Sequence, residues 1–208
     1  MRGGRRASGA GRLGVAAATL ALVGCTGGEP AGQSPASQVP APEPTSLAAY
    51  DVAGAVAARA PFCDRVSPTG IEHALGDVPE AHEEHANGDR FRLPDGSRSV
   101  SHEYGCSWTA PDGTAARAWV FAPPVTPARA RRLAADAARG RCTRVGSGDF
   151  GKPSVALRCR TEEGVESSWR GLLGDGWLTC TLGPVDDPVR LEERTEEWCV
   201  AVLEAARA

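Results

Sequence analysis

The chain holds four histidines, one methionine and one lysine in 208 residues, and only eleven residues are aromatic. No Cys-x-x-Cys occurs, so the tight ligand pairs from which tetrahedral zinc sites are usually built are missing. Serine is present, but no G-x-S-x-G surrounds it, and the strained elbow that exposes a nucleophile is absent. A basic excess is missing too. The formal net charge is −3, with 22 arginines and a lone lysine set against 26 acids, which argues against nucleic acid as a partner. The arginine-to-lysine ratio fits GC-rich coding and says little about chemistry.

Long apolar runs are also lacking. The run "LGVAAATLALVG", Leu13 to Gly24, is too short and alanine-rich for a comfortable membrane span. It follows Arg2, Arg5, Arg6 and Arg12 and ends at Leu22-Val23-Gly24-Cys25. This resembles a bacterial lipobox. The resemblance implies a signal peptide over residues 1–24 and a diacylglycerol on the sulfur of Cys25, the mature N-terminus. Two or more acyl chains on one cysteine hold far more firmly than one, at about 0.8 kcal/mol per buried methylene. The four arginines leave with the signal and every acid follows it, so 19 basic residues face 26 acidic ones, a net charge of −7.

From residue 25 to 45 the chain is mostly Gly, Pro, Ser, Ala and Gln, and cannot bury enough surface to offset its ordering entropy. It reads as a disordered tether, about 70 Å at full extension. Residues 46–208 then form one extracytoplasmic domain with one core.

With Cys25 lipidated, Cys63, Cys106, Cys142, Cys159, Cys180 and Cys199 remain, an even set that reads as a disulfide framework. Fifteen connectivities are open. The expectation is Cys63–Cys106, Cys142–Cys159 and Cys180–Cys199, because elements consecutive in the chain tend to pack together. In the chain-entropy model these loops contribute at most about 4, 3 and 3 kcal/mol.

"SPTGIEHALG" predicts a short helix capped by Ser67 and stopped at Gly76, and "TPARARRLAADAARG" a longer one capped by Thr126. A third, "DPVRLEERTEEWCVAVLEAARA", is expected to start at Asp187-Pro188 and turn Thr195, Trp198, Cys199, Val202 and Ala206 inward. A hairpin is expected over His102–Thr109 and Thr114–Ala122, with further strands near Ser154–Arg160, Val165–Leu173 and Trp177–Leu182. The predicted fold is α+β: a single sandwich-like, disulfide-stapled domain with a mostly antiparallel sheet of about five strands and two main helices.

The series "PFCDRVSPTGIEHALG", "YGCSW", a capped alanine-rich helix, "VGSGDFG" and "EEWCVAVLEAA" resembles an actinobacterial family of exported lipoproteins of unknown function. The likeness covers roughly Ala60 to Ala206. Its motifs match at Cys63, at Cys106 with Trp108, and at Cys199. It implies binding and supplies no catalytic residues.

Other patterns are weaker. "GSGDFG", Gly146 to Gly151, spells G-x-G-x-x-G but is followed by Lys152-Pro153 and a strand, so it reads as a turn. "HEEH", His82 to His85, is one residue short of H-E-x-x-H and sits in a stretch that reads as a mobile polar loop. Glu162-Glu163 and Asp186-Asp187 read as solvated acids. Arg129 to Arg144 carries six arginines and one aspartate. There Arg129, Arg131 and Arg132 are the candidate binding patch for anionic headgroups or wall polymers; the alternative is a solvated helix face opposite Glu192, Glu193, Glu196 and Glu197. Trp108, Trp119, Trp169, Trp177 and Trp198 read as core unless several line one groove.

The expectation is a lipid-anchored binding or accessory module on the outer face of the cell membrane, with no cofactor, no metal and no catalytic residue assigned. It would take an apolar ligand, an envelope lipid, a wall polymer or a partner protein. The alternative is a surface hydrolase or metal-dependent enzyme using the histidine-rich stretch.

Overall fold

Where small or apolar residues alternate with polar ones the chain runs as strands, and where they recur every three or four residues it coils. The computed structural model describes residues 45–93, 95–146 and 148–208. The segment expected to be a signal, the lipidation expected at Cys25, the expected tether as far as residue 44, Pro94 and Ser147 lie outside the described residues.

Strand β1 spans Ala81–His85, β2 Arg90–Arg92 and β3 Arg98–Val100; β4 spans Glu103–Thr109 and β5 Ala115–Phe121. Then come β6 (Cys142–Gly146), β7 (Ser154–Arg160), β8 (Val165–Leu173) and β9 (Gly176–Val185). The helices are α1 (Pro68–Leu75), α2 (Pro127–Ala137) and α3 (Leu191–Ala206). Seven strands form one sheet in the order β1-β4-β5-β9-β8-β7-β6, every neighbouring pair antiparallel, and β2 and β3 form a separate hairpin. The expected count of about five strands is therefore too low, while the short helix and the two main ones stand in the stretches expected of them.

The two extra strands of the main sheet are its edges. All five residues of β1 are exposed, so no apolar alternation marks it. What reads as a mobile histidine loop is this edge strand, followed by the β2–β3 hairpin. On the opposite edge, β6 has no fully buried residue. Edge strands need pair on one side only and can be polar throughout.

The helix starts follow from capping. The Ser67 hydroxyl accepts from the Gly70 N–H with Pro68 in the first turn, and Gly76, at φ 76°, ends α1 in a left-handed conformation. Thr126 accepts from the Arg129 N–H and α2 follows. Asp187 does not cap α3: its carboxylate accepts from the Val189 N–H in a preceding turn. The helix begins at Leu191 behind Arg190, at φ 60°.

Register assigns each strand residue to a face. Cys106, Ala118, Cys180, Trp169 and Ala156 form one row across β4, β5, β9, β8 and β7, under α3 and α1. Trp198 of α3 is 1% exposed and meets Trp108 edge to face at 5.6 Å. Its Nε1–H donates to the Arg117 carbonyl at 3.2 Å. The other face carries α2 on β7 and β8 over Val155, Leu157, Leu172 and Trp177. Gly171 admits β8 past the Phe150 carbonyl, where any Cβ would collide.

Disulfides join Cys63 to Cys106, Cys142 to Cys159 and Cys180 to Cys199, with Cα separations of 5.9, 4.0 and 5.5 Å. The first ties the turn before α1 to β4, the second crosses β6 and β7, and the third pins α3 to β9.

Candidate functional site

On the α2 face, β4, β5, β9 and β8 bring together side chains far apart in the chain. One row reads Ser107, Arg117, Thr181, Ser168, and the next Gly105, Trp119, Thr179, Arg170. Among the described residues no helix covers this face of β4, β5 or β9 to the extent that α2 covers β7 and β8. Yet Thr179, Thr181 and Ser168 are buried. The half-buried side chains beside them, Arg117, Trp119, Glu166 and Arg170, must do the covering.

The polar groups here are incompletely matched. Arg117 Nη2 donates to Glu166 Oε1 at 2.5 Å and to the Gly183 carbonyl at 2.8 Å. Among the described residues, Arg117 Nε, Arg170 Nε and Thr181 Oγ1 are buried with no hydrogen-bond partner. All three lie on this face. Burial lowers the pKa of Arg170, and the nearby Glu166 charge opposes that shift. Two guanidiniums and several hydroxyls can hold the oxygens of an anion, because guanidinium offers a planar fork of donors, and Glu166 competes with such an anion for Arg117.

Nothing comparable assembles at the other candidates. A strand of period two sends His82 and Glu84 to one face and Glu83 and His85 to the other. His82 stacks on Trp108 with ring centroids 4.7 Å apart, while His85 Nε2 lies 3.3 Å from Glu103 Oε1. His73 meets Glu197 at 2.6 Å, and His102 is exposed. The four histidines are thus dispersed, and among the described residues no group of three or more His, Cys, Asp or Glu could hold a metal.

Arg129, Arg131 and Arg132 are exposed on α2, with Arg129 over the Phe121 ring at 5.9 Å. Their window is not one helix face, since α2 ends at Ala137 and Arg144 lies on β6. Nor do the acids of α3 oppose it: α3 packs on the other side of the sheet. There Glu192 takes Arg158, Glu193 takes Arg190 and Glu197 takes His73. Asp112, Glu163, Asp186 and Asp187 do line one groove of about 640 Å³, together with Arg194. Two of these carboxylates are occupied in turns, Asp112 accepting from the Thr114 N–H and Asp187 from the Val189 N–H. Trp108, Trp169, Trp177 and Trp198 are buried and divided between the two faces, which leaves Trp119 alone beside the arginines.

No protein-family model matches the chain, and neither does any curated protein or solved structure. The class is defined by geometry: a seven-stranded antiparallel sheet with helices on both faces, held by three disulfides. Among the described residues no helix is long and apolar enough to cross a membrane.

Proposed function

We propose that the chain is an exported lipoprotein, anchored through Cys25 outside the membrane, whose domain binds an anionic component of the cell envelope on the α2 face. The observation that carries this reading is the meeting of three buried, unpartnered polar atoms, Arg117 Nε, Arg170 Nε and Thr181 Oγ1, on one sheet face. Each such group left unmatched costs about 1–3 kcal/mol, and a surface that tolerates several is suited to an occupant that satisfies them. Glu166 holds the outer nitrogen of Arg117 in the free protein. A carboxylate or phosphate displaces it, and the freed fork turns toward the ligand.

Three disulfides support an oxidising compartment. The burial of four tryptophans favours an anionic ligand over an apolar one. The enzyme reading has less support, because the histidines are dispersed and, among the described residues, no serine or threonine hydroxyl is hydrogen-bonded to a histidine.

The test is calorimetric titration of the chain with inorganic phosphate and with glycerol 3-phosphate, repeated on Arg117→Gln and Thr181→Val. Saturable binding that weakens about tenfold or more in Arg117→Gln supports the reading. An absence of binding, or equal binding by both variants, refutes it. For the anchor, mass spectrometry of the membrane-extracted chain should find a diacylglycerol on Cys25, and Cys25→Ser should abolish it.

A further inference from the structure

The β2–β3 hairpin stands apart from the seven-stranded sheet, closed at its base by reciprocal backbone bonds between Gly88, Asp89 and Ser101 and at its tip by Leu93 and Gly96. Its register pairs Arg90 with Val100, Phe91 with Ser99 and Arg92 with Arg98. Opposed residues share a face, so Arg90, Arg92 and Arg98 lie on one side of the ribbon and Phe91 and Leu93 on the other. Arg90, Arg92 and Arg98 are exposed and, among the described residues, none is in an ion pair. The two acids of the ribbon are turned to backbone, Asp89 accepting from the Ala86 N–H and Asp95 from the Ser97 N–H, and neither is ion-paired to these arginines. Phe91 is 47% exposed and Leu93 40%. With Val100, three of the seven exposed large apolar residues described in the chain fall within this one ribbon.

We infer that the hairpin docks onto an anionic lipid surface, with Phe91 and Leu93 in the headgroup–acyl boundary and the three arginines on headgroup phosphates. Charge selects this occupant. A chain with an acidic excess is repelled by an anionic surface except where cations predominate; from Asp89 to Val100 three arginines face two aspartates, and the arginines flank exposed apolar side chains. Arginine stems reach along the ribbon while their heads stay at phosphate depth. The inference assumes a domain held near a membrane and is independent of the anion site on the α2 face.

The experiment is co-sedimentation of the mature chain from residue 26 onward, which lacks both the signal segment and the lipidated cysteine, with phosphatidylglycerol-containing and pure phosphatidylcholine vesicles. Binding to the anionic vesicles that falls with added salt is expected. Arg90→Gln, Arg92→Gln and Arg98→Gln together lower it about a hundredfold, from about fivefold per arginine near the surface. Phe91→Ser with Leu93→Ser lowers it about tenfold. The triple Arg129→Gln, Arg131→Gln, Arg132→Gln leaves it unchanged. Near-UV circular dichroism and the absence of free thiols verify that each variant is folded. Failure to sediment with either vesicle overturns the inference. So does loss of binding in the α2 triple with the hairpin triple silent, or binding indifferent to lipid charge.

Discussion

The two faces of the sheet solve burial in opposite ways. Under α3 and α1 the strands present Cys106, Trp108, Ala118, Val120, Cys180 and Leu182. This face is apolar, and both Cys63–Cys106 and Cys180–Cys199 bridge from it to the covering layer. The opposite face presents Ser107, Arg117 and Thr181 on these strands and Ser168 on β8, with Thr181 and Ser168 buried chiefly by half-buried neighbours. The first arrangement maximises apolar contact and tolerates little change. The second leaves donors and acceptors unmatched, a sign that more than stability has shaped it.

Substitutions sharpen the contrast. The largest effect is expected at Trp198→Ala, which leaves a cavity in the α3 layer beside Trp108. It should lower unfolding free energy by about 3–5 kcal/mol, read by urea titration of the oxidised protein. Next is the double replacement Cys180→Ala with Cys199→Ala, expected to cost about 3 kcal/mol by the same measurement for its 19-residue loop. On the polar face the expectation reverses. Thr181→Val removes an unpartnered hydroxyl while keeping its shape, and stability should stay level or rise by up to about 1 kcal/mol. A loss as large as that at Trp198 would erase the distinction between the faces.

The smallest effect concerns Glu196, half-buried on α3. Burial raises its pKa, and the charges of Asp149, Glu193 and Glu197 raise it further. A carboxyl whose folded-state pKa lies above its unfolded value binds its proton more tightly in the native state. Its contribution is complete below the ordinary carboxylate range and is lost as pH rises through the raised pKa. Glu196→Gln should therefore raise the denaturation midpoint slightly at neutral pH and flatten the pH dependence just above the carboxylate range. An unchanged profile would show that these acids do not couple.

What could be read from the sequence is what local chemistry specifies. Ser67-Pro68 and Thr126-Pro127 announce α1 and α2 because a side-chain acceptor and a fixed φ act within one turn. The alternation in "YGCSW" marks β4, and the apolar run opening "SVALRCR" marks β7, whose first half is buried on both faces. "AHEEH" gives no such signal, since an edge strand held only by β4 needs no apolar side chains. Asp187-Pro188 has the form of a cap but closes a turn three residues early, a choice settled by where Leu191 must enter the core. The polar cluster was illegible for another reason. Arg117, Glu166, Arg170 and Thr181 meet only through the strand order β5-β9-β8. Its one local trace is an arginine or threonine inside otherwise apolar strands, as in "AARAWVF" and "LTCTL".

The three disulfides also have an order. Their loops, 63–106, 142–159 and 180–199, follow one another along the chain without overlapping or nesting. A polypeptide threaded N-terminus first into an oxidising space can close each bridge once its second cysteine has emerged. No earlier cysteine has to wait for a later segment, and no wrong partner is left free while the next pair arrives. Vectorial delivery and the final covalent pattern then agree, and simple stepwise oxidation suffices where interleaved bridges would call for repeated reshuffling.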